Sequence, residues 1–261
     1  MRSSRCWATR SRQPTTPTAH ATTSCNTTPK HACWNSIASS TVRFLMPPIP
    51  IRAVQANDLP QVVAIHQQAF KGFHMTLLGP RFLARYYQTV LDYPYSIFLA
   101  AVDDARMLGF VAGFVNPPQF YAMLRARKRA LALAAATHLV LRPHLWRRTL
   151  SSLRRAQSLA DTGDQPHLAE LASIGVSPAA QGRGVGKALT LAFLDATRQR
   201  QATEVMLTTD AHNNDAVNRF YQNLGFQCIR QFWHTPDRLM NEYRITLSQV
   251  QLVGEGTPND T

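Results

Sequence analysis

The stretch Ile174-Gly175-Val176-Ser177-Pro178-Ala179-Ala180-Gln181-Gly182-Arg183-Gly184-Val185-Gly186-Lys187-Ala188-Leu189 decides how this chain is read. Leading into it, Leu168–Val176 is mostly apolar and stops at a Ser-Pro turn signal, the pattern of a buried strand. Beyond it, Val185, Leu189, Ala192 and Ala196 recur at helical spacing, with Ala188 and Leu191 alongside. Gly182, Gly184 and Gly186 lie between, and glycine allows positive φ and close approach to the main chain. The amides of a helix's first turn are unpaired and carry partial positive charge, so a strand, glycine loop and helix can hold a phosphate. Arg183 and Lys187 add charge at the same place. Two nucleotide loops are excluded. A Walker loop needs Gly at 181 and Ser or Thr at 188, where the chain has Gln181 and Ala188. A dinucleotide fingerprint from Gly182 needs Gly or Ala where Lys187 stands, and it belongs near the start of its domain.

What fits is Gln-x-x-Gly-x-Gly, at Gln181, Gly184 and Gly186. A second block follows after a helix and a strand: Asn214-Asp215-Ala216-Val217-Asn218-Arg219-Phe220-Tyr221-Gln222-Asn223-Leu224-Gly225-Phe226. It matches Asn-x-x-Ala-x-x-x-Tyr-x-x-x-Gly-Phe at Asn214, Tyr221, Gly225 and Phe226, with Val217 replacing the usual small residue. Two such blocks in this order resemble the GNAT superfamily of N-acetyltransferases, closely over 168–232 and in topology over 51–115. The resemblance implies an α/β (α+β) fold, a central mixed, mostly antiparallel twisted sheet flanked by helices. It also implies acetyl-CoA as cosubstrate, no metal, and direct attack by an amine acceptor in a ternary complex. The amides of Ile174 and Val176 would pair with the pantetheine arm like an added strand, with Gly175 between them suited to a bulge. Gln181, Gly182, Arg183, Gly184, Val185, Gly186 and Lys187 would take the pyrophosphate. Asn214 would contact the coenzyme or cap its helix, and Tyr221 would touch the coenzyme as well.

An alkyl ammonium has a pKa of about 10.4, so a base must remove a proton before the amine can attack. The resemblance assigns this to Glu170, which has the same offset from Gln181 as the base carboxylate of some histone-acetylating members. Strand alternation puts Glu170 on one face with Ala172 and Ile174. Its other reading is a strand-end carboxylate paired with an arginine of the inserted segment 117–160. Tyr221 is the acid for the leaving thiolate; its other reading is a core aromatic beside Phe220 and Leu224. Phe73, His74 and Tyr87 lie where the family's first two helices line the acceptor site. His66 and His167, like most lone histidines, read as packed or exposed, and Trp146 and Trp233 as core.

Outward from the two blocks, the N-terminal part reads as strand (51–54), helix (59–70), helix (80–91) and a hairpin of two strands (95–102 and 107–115). Between that hairpin and the glycine loop, 117–160 is too long for an unstructured loop inside a domain. It reads as an inserted helical hairpin, 120–141 and 146–159 with Pro143 between. Its charges are all basic: Arg125, Arg127, Lys128, Arg129, Arg142, Arg147, Arg148, Arg154 and Arg155. It suits a cover over the core, a clamp on an anionic acceptor, or peripheral contact with an anionic membrane. Its apolar run is shorter than the roughly 20 residues needed to cross a bilayer. Nucleic acid is disfavoured, since no stacking aromatics alternate with the cations.

The chain has 261 residues, 45% of them hydrophobic, enough for a core, and a formal net charge of +13. Residues 1–45 are rich in Ser and Thr, carry only basic charges and have no apolar period or signal-peptide core, so they read as a disordered extension, with Met46 as an alternative start. The catalytic domain is expected over 46–248 and a flexible tail over 249–261. Three of the four cysteines, Cys6, Cys25 and Cys33, lie in the extension and Cys228 stands alone, so neither a disulfide framework nor a zinc site is implied, and a cytoplasmic setting is the default. The acceptor expected is a primary amine on a small molecule, an amino sugar or another anionic metabolite. The alternatives are a protein lysine or N-terminus, or a non-catalytic acyl-CoA-binding or membrane-surface module. A homodimer is compatible with all of these.

Overall fold

The computed structural model describes residues 49–104, 106–140, 163–235 and 238–249. The extension 1–45 with Met46, the second arm of the insert with Trp146, and the tail beyond Gln249 lie outside the described residues. One seven-stranded sheet runs in the order β1-β2-β3-β4-β5-β7-β6. The strands are β1 Ile51–Ala53, β2 Ser96–Asp103, β3 Arg106–Val115, β4 Leu168–Val176, β5 Glu204–Asp210, β6 Gln227–Thr235 and β7 Arg238–Thr246. β4 and β5 are parallel; the other neighbours are antiparallel. The helices are α1 Leu59–Ala69, α2 His74–Leu77, α3 Pro80–Asp92, α4 Pro117–Ala126, α5 Lys128–Val140, α6 Val185–Gln199 and α7 Asp215–Asn223.

The sheet divides the apolar side chains into two layers. On one face α6 packs over β2, β3 and β4, setting Val185, Leu189, Phe193 and Leu194 against Ile97, Val111, Ala169 and Leu171. On the other face α1 and α3 set Val62, Leu83, Tyr87 and Val90 against Phe98, Phe110 and Phe114. Each such side chain, fully buried, contributes about 1.5–3 kcal/mol of apolar transfer. The buried stripe of α6 runs through Val185, Leu189, Phe193 and Thr197, with Thr190 and Leu194, rather than through Ala192 and Ala196. Threonine can lie inside because Thr190 and Thr197 donate their hydroxyls to the carbonyls of Gly186 and Phe193, at 2.9 and 2.8 Å.

The described part of the insert is two helices, not one. The chain turns at Arg127, whose guanidinium pairs with Asp92 of α3 at 2.5 Å. α5 then lies against α3 and buries Leu131 and Ala135. α4 is anchored by Phe120, fully buried and stacked on Phe114 with centroids 3.7 Å apart. Trp233 is not core. It is 63% exposed, because β6 is the edge strand and its pairing with β7 shifts register between Trp233 and Thr235. No described helix is long and apolar enough to cross a membrane.

Candidate active site

β4 carries the site. It pairs with β3 along its length but with β5 only at Leu168, Ala169 and Glu170. β5 continues on β7 as far as Asp210. The two parallel strands therefore separate after Glu170, and the 171–176 edge of β4 has no ladder partner on that side among the described residues.

The β3–β4 register contains one irregularity. Ala112 faces Ser173 while Gly113 faces Leu171, so Ala172 is an extra residue in β4. Before it, Ala169 and Leu171 join the α6 layer, and Ala172 joins the α1/α3 layer. Glu170 also lies in the α1/α3 layer, bonded to Tyr121 of α4. After it the phase reverses. Ile174 and Val176 pack on the α6 side, while Ser173 is hydrogen-bonded to Tyr87 on the other. Two expectations are thereby corrected. Glu170 shares a face with Ala172 but not with Ile174, because simple alternation counts no inserted residue. The bulge is not at Gly175, which pairs regularly with Phe110. A Cβ at Gly175 would stand 2.9 Å from Phe110 Cε1 and 3.3 Å from Ile65 Cγ2, so it is close packing of α1 on the sheet that calls for glycine there.

Beside the open edge, on the α6 side, is a cavity of about 510 Å³. Val176, Gln181, Gly182, Gly184, Val185, Gly186 and Lys187 line it, together with Ala180. Gly182 and Gly184 both have φ of +77°, and a Cβ on either would meet nothing within 4 Å. They are glycines for backbone conformation, and they leave the loop open. Gly184 is the N-cap of α6 and supplies no capping side chain, so first-turn amides remain for a ligand. The far wall is α7, through Phe220, Asn223 and Leu224, which sequence reading assigned to core packing or passed over. Their spacing on the face of α7 next to Tyr221 is the signal that finds them.

The other expected donor-side residues sit apart from this cavity. Arg183 turns away and pairs with Asp103 of the β2–β3 turn at 3.6 Å, both side chains well exposed. Asn214 occupies the N-cap of α7 without a side-chain cap bond; its amide donates to the Asp210 carbonyl at 3.4 Å. Tyr221 is 4% exposed and packs edge-on to Phe220 and Phe226, with centroids 5.1 and 5.5 Å away. Burial raises the pKa of its phenol, which keeps its proton at neutral pH.

The opposite side of the β4–β5 opening is made of side chains. Tyr121 donates to Glu170 Oε1 at 2.9 Å, a contact absent from the sequence reading because α4 lies about fifty residues upstream. Phe73 is 40% exposed, with the Arg238 guanidinium 5.2 Å from its ring centre. Arg238 is itself paired with Asp210 at 2.5 Å. This ties the segment after α1 to the end of β5. His74 opens α2 and is partly buried. Tyr87 is fully buried, its hydroxyl 2.7 Å from His66 Nδ1, so it belongs to the core beneath this wall. Burial lowers the His66 pKa to about 4. His167 lies at the foot of β4, where its carbonyl accepts from the Thr203 and Glu204 amides. Among the described residues no three His, Cys, Asp or Glu side chains come together as a metal site.

Comparison with known proteins bears on the family and the fold. A model of the Acetyltransferase (GNAT) family matches residues 59–226. The mycothiol acetyltransferase of Renibacterium salmoninarum is 48% identical over 59 residues, 23% of this chain and 17% of that protein. That of Nocardia farcinica is 49% identical over 63 residues, 24% of this chain and 20% of that protein. The chain thus spans about a fifth of the length of the curated relatives it matches. In fold, a GNAT-family protein from Desulfovibrio desulfuricans superposes with a TM-score of 0.52 at 15% identity, over 76% of this chain and 98% of that one. The family model covers well over half of the chain, and the chain belongs to the Acetyltransferase (GNAT) family.

Proposed function

We propose that the chain is an acetyl-CoA-dependent N-acetyltransferase that moves an acetyl group to a primary amine of a small molecule. The observation that carries this is the opening between β4 and β5, bordered by the uncapped start of α6 and a cavity of about 510 Å³. The 171–176 edge of β4, without a ladder partner among the described residues, suits an extended amide-bearing arm, which would bond to it as an added strand. The loop amides and Lys187 suit a pyrophosphate. The arm would thus bring its thioester toward Glu170, at the point where the strands part.

Glu170 takes a proton from the acceptor ammonium. The freed amine nitrogen bonds to the acetyl carbon, the carbon–sulfur bond breaks so that the sulfur leaves as thiolate, and the second nitrogen proton passes to solvent, from which the thiolate is protonated. Tyr221 serves the leaving sulfur as a hydrogen-bond donor. Its pKa lies above the usual 10, and an ordinary thiol has a pKa near 8.5, so the proton stays on the phenol while the thiolate charge is shared. Tyr221→Phe should lower kcat about tenfold with little change in the Kd for acetyl-CoA. An unchanged rate removes Tyr221 from the reaction.

A small acceptor is favoured by the names of the mycothiol acetyltransferases that the chain resembles over a quarter of its length. An anionic acceptor, such as an acidic amino-sugar derivative, is favoured by an insert whose charges are all basic and whose first helix reaches Glu170. The test is thiol release from acetyl-CoA across a panel of amino sugars, amino acids, polyamines and peptides. Release with a small amine is the expected result. Tight coenzyme binding with silence across the panel would point instead to a binding module, and preference for peptides to a protein acetyltransferase.

A further inference from the structure

We propose that Tyr121, on the first helix of the inserted segment, is a positioning residue whose hydroxyl holds the Glu170 carboxylate in place and in its charged form. The inference rests on the reading of Glu170 as the base. Tyr121 Oη donates to Glu170 Oε1 at 2.9 Å. Its ring is edge-on to both Phe114 and Phe120, with centroids 5.8 and 5.5 Å away, and those two rings are stacked on each other. Packing therefore fixes the donor before any substrate arrives, which a productive base needs. Glu170 occupies the last β4–β5 rung, beyond which the strands part, so its rotamer is set by side chains.

Among the described residues, the groups facing the carboxylate set the sign of the effect. α4 supplies Tyr121, and α3 supplies Tyr86, a buried phenol that is neutral at neutral pH and whose pKa burial and the Glu170 charge both raise. The paired positions on β3 and β5 are Phe114 and Met206, which do not ionise. A hydrogen bond donated to a carboxylate favours its charged form, so losing it raises the carboxylate pKa. The acid limb of kcat/KM then moves to higher pH. On this reading the insert, which the minimal fold lacks, is part of the machinery of proton removal.

The test uses the full chain labelled with ¹³C-glutamate and titrated by NMR, with Glu170→Gln to identify the resonance. Tyr121→Phe removes the hydroxyl and keeps the ring. The expected result is a Glu170 midpoint raised by about one pH unit, with unchanged thermal melting. Tyr121→Leu, which also loses the ring, should shift the midpoint equally while melting lower. A midpoint in Tyr121→Phe within about 0.2 unit of the parent overturns the proposal, as does a shift seen only in the Leu variant. Kinetics with the fastest amine of the panel separate the two readings. If Glu170→Gln keeps the parental rate, the base reading fails. The NMR result still decides whether Tyr121 governs the charge of Glu170.

Discussion

The two sides of the β4–β5 opening are built differently. The proposed donor side is main chain: a strand edge without a ladder partner among the described residues, two glycines at positive φ and the first turn of α6, most of it from a single run of sequence. The proposed acceptor side is side chains, Phe73, Tyr121, Glu170, Asp210 and Arg238, each from a different segment. A site made of amides tolerates changes of side chain and fails when its backbone conformation is lost. A site made of side chains fails atom by atom. Single substitutions should therefore damage the acceptor side through chemistry and the donor side through affinity.

The sharpest separation should come from Glu170→Gln. It is expected to lower kcat/KM by about 10²–10⁴-fold and leave the Kd for acetyl-CoA, read by calorimetry, within about twofold. An equal loss in both would erase the distinction between the sides.

Next in size is a pH effect confined to the acceptor side. His66 is neutral in the fold, with its pKa lowered by burial to about 4, against about 6.5 when unfolded. A depressed native pKa means the stability it contributes is complete above about pH 6.5 and is lost as pH falls toward 4. Urea unfolding at about pH 5 should show about 2 kcal/mol less stability than at about pH 7. His66→Gln should flatten that dependence, and a slope that persists in the variant assigns it to another group.

Gly184→Val tests the donor side. At φ +77° a β-branched residue costs about 1–2 kcal/mol, so acetyl-CoA should bind about tenfold more weakly at nearly unchanged kcat. A fall in kcat alone would contradict a purely binding role for the loop.

The smallest effect concerns Arg183. Its ion pair with Asp103 is long and exposed, so Asp103→Ala should change stability by less than about 0.5 kcal/mol. The freed guanidinium should improve coenzyme affinity by no more than about threefold at low salt, and the gain should vanish at high salt.

The contrast between the sides also explains what could be read from the chain. Glycines required by local conformation leave a mark at fixed spacing, so 181–187 was visible, and seven of the residues named for it or its strand line the cavity. Tyr121 carried no such mark, since its partner lies 49 residues away and only packing brings them together. The order of strands and helices along the chain was legible, while the face of each β4 residue was not. An inserted alanine looks like any other alanine in a strand. The stripe of α6 was misplaced for a related reason, since the hydroxyls of Thr190 and Thr197 are satisfied inside the helix and escape a reading based on apolarity.

Ala172 works in β4 much as a single inserted letter works in a two-letter message: everything after it is read in the other frame. The strand in effect carries two independent texts. Upstream, Glu170 can be tuned with α3 and α4 for the acceptor. Downstream, Ile174 and Val176 can be tuned with α6 for the donor. Removing Ala172 would restore simple alternation with every layer kept, Ser173 toward Tyr87 opposite Ala112 and Ile174 toward α6 opposite Val111. One residue without a functional group thus offsets the downstream half of the strand by one position in sequence while both halves keep their layers.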